Sequence, residues 1–400
     1  MIAGILGSIV ITVSPGGSVP LLSAAMARAH PGDTIVVEAG RYAEPAPVRI
    51  DRRVTIIGRG HPVLDAGGSH TLMLVTADSV TIEGLTLQNI GPSSTDDRAA
   101  IRLENVRGCR VVGNTIERSF FGIFGAKATD CLIARNTVIG AGRIEQLSGN
   151  AIQLWSSSRI EVVGNVVEGH RDGIYLEFVT NSEFEDNESR KNLRYGMHFM
   201  FSDSCGYRRN RFHDNGAGVA VMYSKRITME SNQFTLNRGQ ASYGLLLKDI
   251  DDGSISDNRF ESNTTALYLD NSNRLRIAGN RFEANGWALR ILANATDDVF
   301  EGNSFVGNAF DVATNSRSAT STFRHNYWDR YRGFDLDHDG YGDVAHRPVR
   351  LFSLVVEQNE PALILLRSLF VDLLDAAERV LPILTPEALV DPAPRMERPR

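Results

Sequence analysis

Arg159-Ile160-Glu161-Val162-Val163-Gly164-Asn165, followed eight residues after the asparagine by Gly173-Ile174-Tyr175-Leu176, is one turn of a repeat. Ten asparagines mark that repeat: Asn114, Asn136, Asn165, Asn187, Asn210, Asn232, Asn258, Asn280, Asn303 and Asn326, at steps of 22, 29, 22, 23, 22, 26, 22, 23 and 23. A period this short signals stacked coils, since helical repeats need about 33 residues or more. Each unit holds only brief alternating runs with Asn and Gly at the corners, which suits strands and turns. The expected fold is all-β, a right-handed parallel β-helix: a solenoid of coils about 22 residues long, with an N-terminal cap helix and a C-terminal helical segment.

Alternation of period two assigns directions. Aligning the second phrase of each unit puts Ile174, Met197, Val219, Leu245, Leu267 and Leu289 in one inward column. Tyr175, His198, Ala220, Leu246, Tyr268 and Arg290 then point outward. The asparagines read as scaffold: Asn tolerates left-handed corners, and stacked amides bond to one another. Cys109, Cys131 and Cys205 each precede a ladder asparagine by five residues, which reads as a buried small-residue column.

Composition fits a folded protein with one large core: 42% of residues are hydrophobic and 22% charged. A net charge of −6 without a Lys/Arg run argues against nucleic acid as a partner. The organisation expected is a first strand and cap helix over 1–33, with the helix at 18–28, then a β-helix over 34–330. An Asp/Gly-rich closing loop follows over 331–348, a helical docking segment over 349–390 and a disordered tail over 391–400. The leading apolar stretch, residues 1–13, is too short to span a bilayer and lacks the basic start of a secretory signal. In the docking segment apolar residues cover most of the helix circumference, so Leu363, Leu366, Leu369, Phe370 and Leu373 are expected to meet a hydrophobic partner.

Two groups of residues suggest metal chemistry. On the outer face Glu177, Met200 and Met222 share a column beside Tyr175 and His198. One imidazole and two thioethers suit Cu(I). In Asp335-Leu336-Asp337-His338-Asp339-Gly340-Tyr341-Gly342-Asp343, carboxylates fall at positions 1, 3, 5 and 9 with Gly at 6, and the Tyr341 carbonyl is available at 7. That is the spacing of a calcium loop, although His346 stands where the bidentate glutamate belongs.

Three stretches resemble one family. They are Gly40-Arg41-Tyr42 with Val54-Thr55-Ile56-Ile57-Gly58, the rung Tyr195-Gly196-Met197-His198-Phe199-Met200-Phe201-Ser202, and Asn326-Tyr327-Trp328-Asp329 leading into Gly333-Phe334-Asp335. Together they are similar to NosD, the β-helical accessory protein of nitrous-oxide reductase maturation. The resemblance implies a non-enzymatic periplasmic protein that binds an ABC transporter permease and helps deliver copper to the reductase, with a copper chaperone as a further partner. Membrane association would then run only through partners. Two rival functions remain open. Asp337-His338-Asp339 could serve a carbohydrate-active epimerase or lyase, with Glu177, Tyr175, Lys248 and Tyr268 as a thin sugar-binding set. A metal-free interaction scaffold is the third.

Overall fold

The computed structural model describes residues 8–93, 95–239, 242–315, 320–366, 368–380 and 389–399. Residues 1–7 of the apolar leading stretch, Arg367 and residues 381–388 within the docking segment, and Arg400 of the tail lie outside the described residues. The chain divides into two compact units, Met1–Gly206 and Tyr207–Arg400.

In Met1–Gly206 each turn lays down three short strands, each joining a different parallel sheet. One turn comprises Glu161–Val163, Val166–Glu168 and Asp172–Glu177; the next comprises Glu183–Glu185, Glu188–Arg190 and Tyr195–Met200. Their registers pair Val162 with Phe184, Val167 with Ser189 and Ile174 with Met197. The strands are short because each alternating run supplies one or two inward residues before a corner turns the chain. Ile174, Leu176, Met197 and Phe199 are wholly buried, each worth about 1.5–3 kcal/mol relative to exposure.

The asparagines form the ladder their spacing predicts, but not at the left-handed positions. That backbone conformation belongs to the residue just before each one, as at Arg135 (φ 53°) and Asp186 (φ 54°), or to a glycine such as Gly164 (φ 65°). The asparagines themselves are buried. Asn136 Oδ1 accepts from both the backbone N–H (3.0 Å) and Nδ2 (3.1 Å) of Asn114, whose Nδ2 also reaches the Ile82 carbonyl at 3.1 Å. The same bonds link Asn136 to Asn165 and Asn165 to Asn187, so these buried amides satisfy one another, and a broken link would leave a buried donor unmatched.

The cysteine column is equally structural. Cys109, Cys131 and Cys205 are buried free thiols. Cys131 Sγ accepts the Cys109 backbone N–H at 3.3 Å, as Ser182 Oγ in the same column accepts that of Ile160 at 3.0 Å. At the start of the unit Val10–Val13 pairs with Thr34–Val37. The cap helix, α1, is shorter than expected, Leu22–Met26, with Leu22, Ala25 and Met26 buried.

Tyr207–Arg400 repeats the construction. Asn210, Asn232, Asn258, Asn280, Asn303 and Asn326 form one ladder. A second runs five residues later through Asn215, Asn237, Asn263, Asn285 and Asn308. Phe234, Phe260, Phe282, Phe305 and Trp328 stack with ring centroids 4.1–4.9 Å apart, filling one inward column. Past the last strand of the third sheet, Phe310–Thr314, Val349 pairs with Val312 and starts the cap. Helices α2 (Leu351–Gln358) and α3 (Leu369–Val380), with a 3-10 turn at Glu360–Leu365 between them, bring Phe352, Val356 and Val371 onto Phe310. Arg290 clamps α2 through Glu357, at 2.9 and 3.0 Å.

Residues 391–399 are not a disordered tail. Asp391 is fully buried and stands where the next ladder asparagine would fall: its Oδ2 accepts from Asn326 N, Asn326 Nδ2 and Trp328 Nε1 at 3.0, 3.0 and 3.1 Å. The exposed amides of the final coil need an acceptor, and this segment supplies it.

Candidate functional site

The third sheet of Met1–Gly206 sets out two columns on its outer face. Gln153, Tyr175 and His198 are in register in one, Trp155, Glu177 and Met200 in the other. The predicted neighbourhood of Glu177, His198 and Met200 is therefore present. His198 is not an open ligand, however: it is 6% exposed, because Tyr175 and Tyr195 cover it with ring centroids at 5.1 and 4.8 Å. Outward direction does not guarantee exposure where neighbouring rungs carry large rings. In Tyr207–Arg400, Ala220 and Leu246 are likewise outward yet buried.

Beneath His198 lies a carboxylate that the repeat pattern did not single out. Asp172 is fully buried. Arg194 Nε donates to Asp172 Oδ1 at 2.9 Å, and the Tyr195 backbone N–H reaches the same oxygen at 3.3 Å. His198 Nδ1 stands 3.7 Å from Asp172 Oδ2 and 3.4 Å from Arg194 Nη2. Burial pushes the Asp172 carboxyl upward, but bonding from His198 and the Arg194 guanidinium outweighs it and holds the group below its ordinary range. Arg194 can only donate, so its contact with Nδ1 fits the tautomer that carries the proton on Nε2, whereas a proton on Nδ1 facing the Asp172 carboxylate leaves the Nε2 lone pair free; only the second tautomer can take a metal at Nε2. His198 Nε2 is buried without a hydrogen-bond partner among the described residues. An orphaned ring nitrogen backed by a carboxylate suits a metal ion.

Met200 is half-buried, and Tyr175 Oη donates to its sulfur at 3.9 Å. Burial, then the Glu177 and Asp172 charges, raise the Tyr175 pKa, so the phenol remains a donor. Met222 belongs to the other unit, half-buried on strand Ala217–Lys225, with Lys248 as its register partner. Of the sugar-binding set, Tyr175 and Glu177 lie in Met1–Gly206, Lys248 and Tyr268 in Tyr207–Arg400.

The closing loop gathers part of the predicted calcium set. Carboxylate oxygens of Asp335, Asp337 and Asp343 come within 4.8 Å of one another. Asp339 instead turns back to accept the Tyr341 N–H at 2.8 Å, while Asp335 takes those of Asp339 and Gly340 at 3.2 and 2.9 Å. The Tyr341 ring packs on His325 and Arg395. His346 faces away, its ring 5.0 Å from Trp328, and burial lowers its pKa to about 4.

The docking residues divide. Leu363 and Leu366 pack against the core of the cap, because the 3-10 turn folds them back over Phe352 and Val356. Leu369, Phe370 and Leu373 stand out at 81%, 48% and 69% exposure, with Ile364 beside them in the preceding turn. Among the described residues no helix is long and apolar enough to cross a membrane.

The fold defines the class: a parallel β-helix protein whose outer sheet face carries nitrogen and thioether donors. Residues 130–333 match the family described as periplasmic copper-binding protein (NosD). A Pseudomonas aeruginosa protein named probable ABC transporter binding protein NosD is 30% identical, the match covering 95% of this chain and 94% of that one. Its namesake from Stutzerimonas stutzeri is 28% identical over 84% of this chain and 81% of that one. The chain belongs to the NosD family. Among solved structures it resembles the catalytic domain of a GH87 alpha-1,3-glucanase in complex with nigerose (TM-score 0.65, 11% identity, 82% of this chain and 70% of that one). It also resembles the periplasmic alginate epimerase AlgG (TM-score 0.51, 13% identity, 71% of this chain and 77% of that one). At such identities the likeness is one of fold.

Proposed function

We propose that this protein is a non-enzymatic periplasmic accessory factor that handles copper during maturation of nitrous-oxide reductase, receiving it from a chaperone and working beside an ABC transporter permease. The observation that carries the copper part is the unpartnered Nε2 of His198, in the rung that also bears Met200. Cu(I) accepts imidazole and thioether donors and is transferred readily between them. Glu177, in register with Met200, adds negative charge, and Met222 is assigned as a thioether donor on the outer face of its own unit. Tyr175 and Tyr195 cover His198, so metal reaches it only when those rings part; this suits a transient carrier better than a permanent site.

Leu369, Phe370 and Leu373 are assigned to the permease contact on the strength of their exposure. Asp335, Asp337 and Asp343 are assigned to a structural calcium ion that would brace the closing loop. Competition titration of the isolated protein with Cu(I) tests the main assignment. His198→Ala and Met200→Leu should each weaken binding, and equal affinity in both variants and parent would refute it.

A further inference from the structure

Three contiguous clefts run over the outer face of the third sheet in Met1–Gly206, about 470, 330 and 660 Å³ in volume and all lined by Asp97. Their floor is a register column: Leu74, Arg102, Phe124, Gln153 and Tyr175 occupy successive rungs. The copper assignment uses only Tyr175 and Glu177 at one end of it and leaves the rest unexplained. We propose that this groove binds a neutral oligosaccharide, laid across the rungs with Trp155 as its aromatic platform.

The floor excludes several other ligands. Backbone groups of the central strands are spent in the parallel ladders, so no free sheet edge exists there for an extended peptide to pair with, and recognition falls to side chains. The charges cancel. Asp96, Asp97, Glu104 and Glu177 supply four negative charges, and Arg98, Arg102, Arg171 and Lys127 supply four positive ones. A polyanion or a basic peptide would gain no net attraction from such a lining.

Interleaved carboxylates, guanidinium groups and the Gln153 amide offer paired donors and acceptors, which is what hydroxyl groups require. Trp155 lines the largest cleft and is 37% exposed, with Lys127 Nζ 5.7 Å from its ring centre. An exposed indole on a rigid strand gives an apolar ring face to the C–H side of a sugar. Rungs repeat at about 4.8 Å, close to the advance of one pyranose residue, so a ligand of four or five sugars would match the column.

Calorimetric titration of the full chain with glucose hexasaccharides of α-1,3, α-1,4, β-1,3 and β-1,4 linkage provides the test, beside a hexauronate and a neutral Gly/Ser hexapeptide. Saturable binding of a neutral hexasaccharide is expected, weakened about five- to tenfold by Trp155→Ala and partly restored by Trp155→Phe, with melting unchanged. Failure of every neutral hexasaccharide to bind at millimolar concentration overturns the proposal. So does preference for the hexauronate or the peptide, or affinity that ignores Trp155→Ala. Copper titration of Trp155→Ala should match the parent, which separates this proposal from the copper assignment.

Discussion

Replacing Asp391 with Ala should unravel the last coil. In the folded chain its carboxylate accepts three buried donors, Asn326 N, Asn326 Nδ2 and Trp328 Nε1, and the partly buried His325 N–H at 3.1 Å. A buried donor left unmatched costs about 1–3 kcal/mol, so three would cost roughly 3–9. Relief from desolvating the carboxylate offsets part of this, leaving a net loss of about 2–4 kcal/mol. Asp391→Asn is the informative control: an asparagine carbonyl makes these same ladder bonds at each earlier coil, so that variant should stay within about 1 kcal/mol of the parent. Because coils couple mainly to their neighbours, the damage should be local. Hydrogen exchange should show lost protection in Thr322–Arg324 and at Tyr327, with the coils of Met1–Gly206 unaffected. If Asp391→Ala keeps full protection there, or if Asp391→Asn is as damaged as Asp391→Ala, the segment is not the terminal rung of the ladder.

Leu247→Asp puts a carboxylate into the fully buried column between Val221 and Leu269, and should cost several kcal/mol; an unchanged melting curve would show the register is wrong. Burial raises the Asp298 pKa from an ordinary 3.8 to about 7. The folded chain therefore holds a proton that the unfolded chain has released between those values, and the parent loses stability as pH rises through that window. Urea unfolding of Asp298→Asn should lack this slope, gaining up to about 4 kcal/mol on the parent between pH 4 and pH 8, whereas a pH-independent difference would contradict the assignment. Calcium at a hundredfold excess over its dissociation constant would add about 2.7 kcal/mol to stability. Identical melts in millimolar calcium and in chelator would remove the ion from the Asp335 loop.

The spacing of the asparagines was enough to reveal the coils, because a stacked amide must recur in every turn at the same place. The second ladder, Asn215 to Asn308, has the same spacing but spans fewer coils, so its signal in the sequence is weaker. Asp391 was beyond reach, since 65 residues and two helices separate it from the asparagine it caps. At the site, alternation correctly placed His198 and Met200 in adjacent outward columns. It could not show that Tyr195 and Tyr175 lie over the imidazole, or that Asp172 and Arg194 lie at its Nδ1. Tyr175 lies mid-strand in the His198 column, as alternation has it, but Asp172, Arg194 and Tyr195 come from the corner entering the strand, where period-two reasoning stops. The docking segment divides for a similar reason: composition marks Leu363 and Leu369 alike, but a 3-10 turn packs the first against the cap and leaves the second in solvent.

The most direct measurement is the copper content of nitrous-oxide reductase matured in cells that carry Met200→Leu with Met222→Leu in place of the parent chain. Leucine keeps the apolar volume and removes both sulfurs, so folding and docking should survive. Reductase depleted in copper, with the variant still present at parental level, is the predicted result. Reductase with its full copper content would contradict the account and confine this face to protein contact.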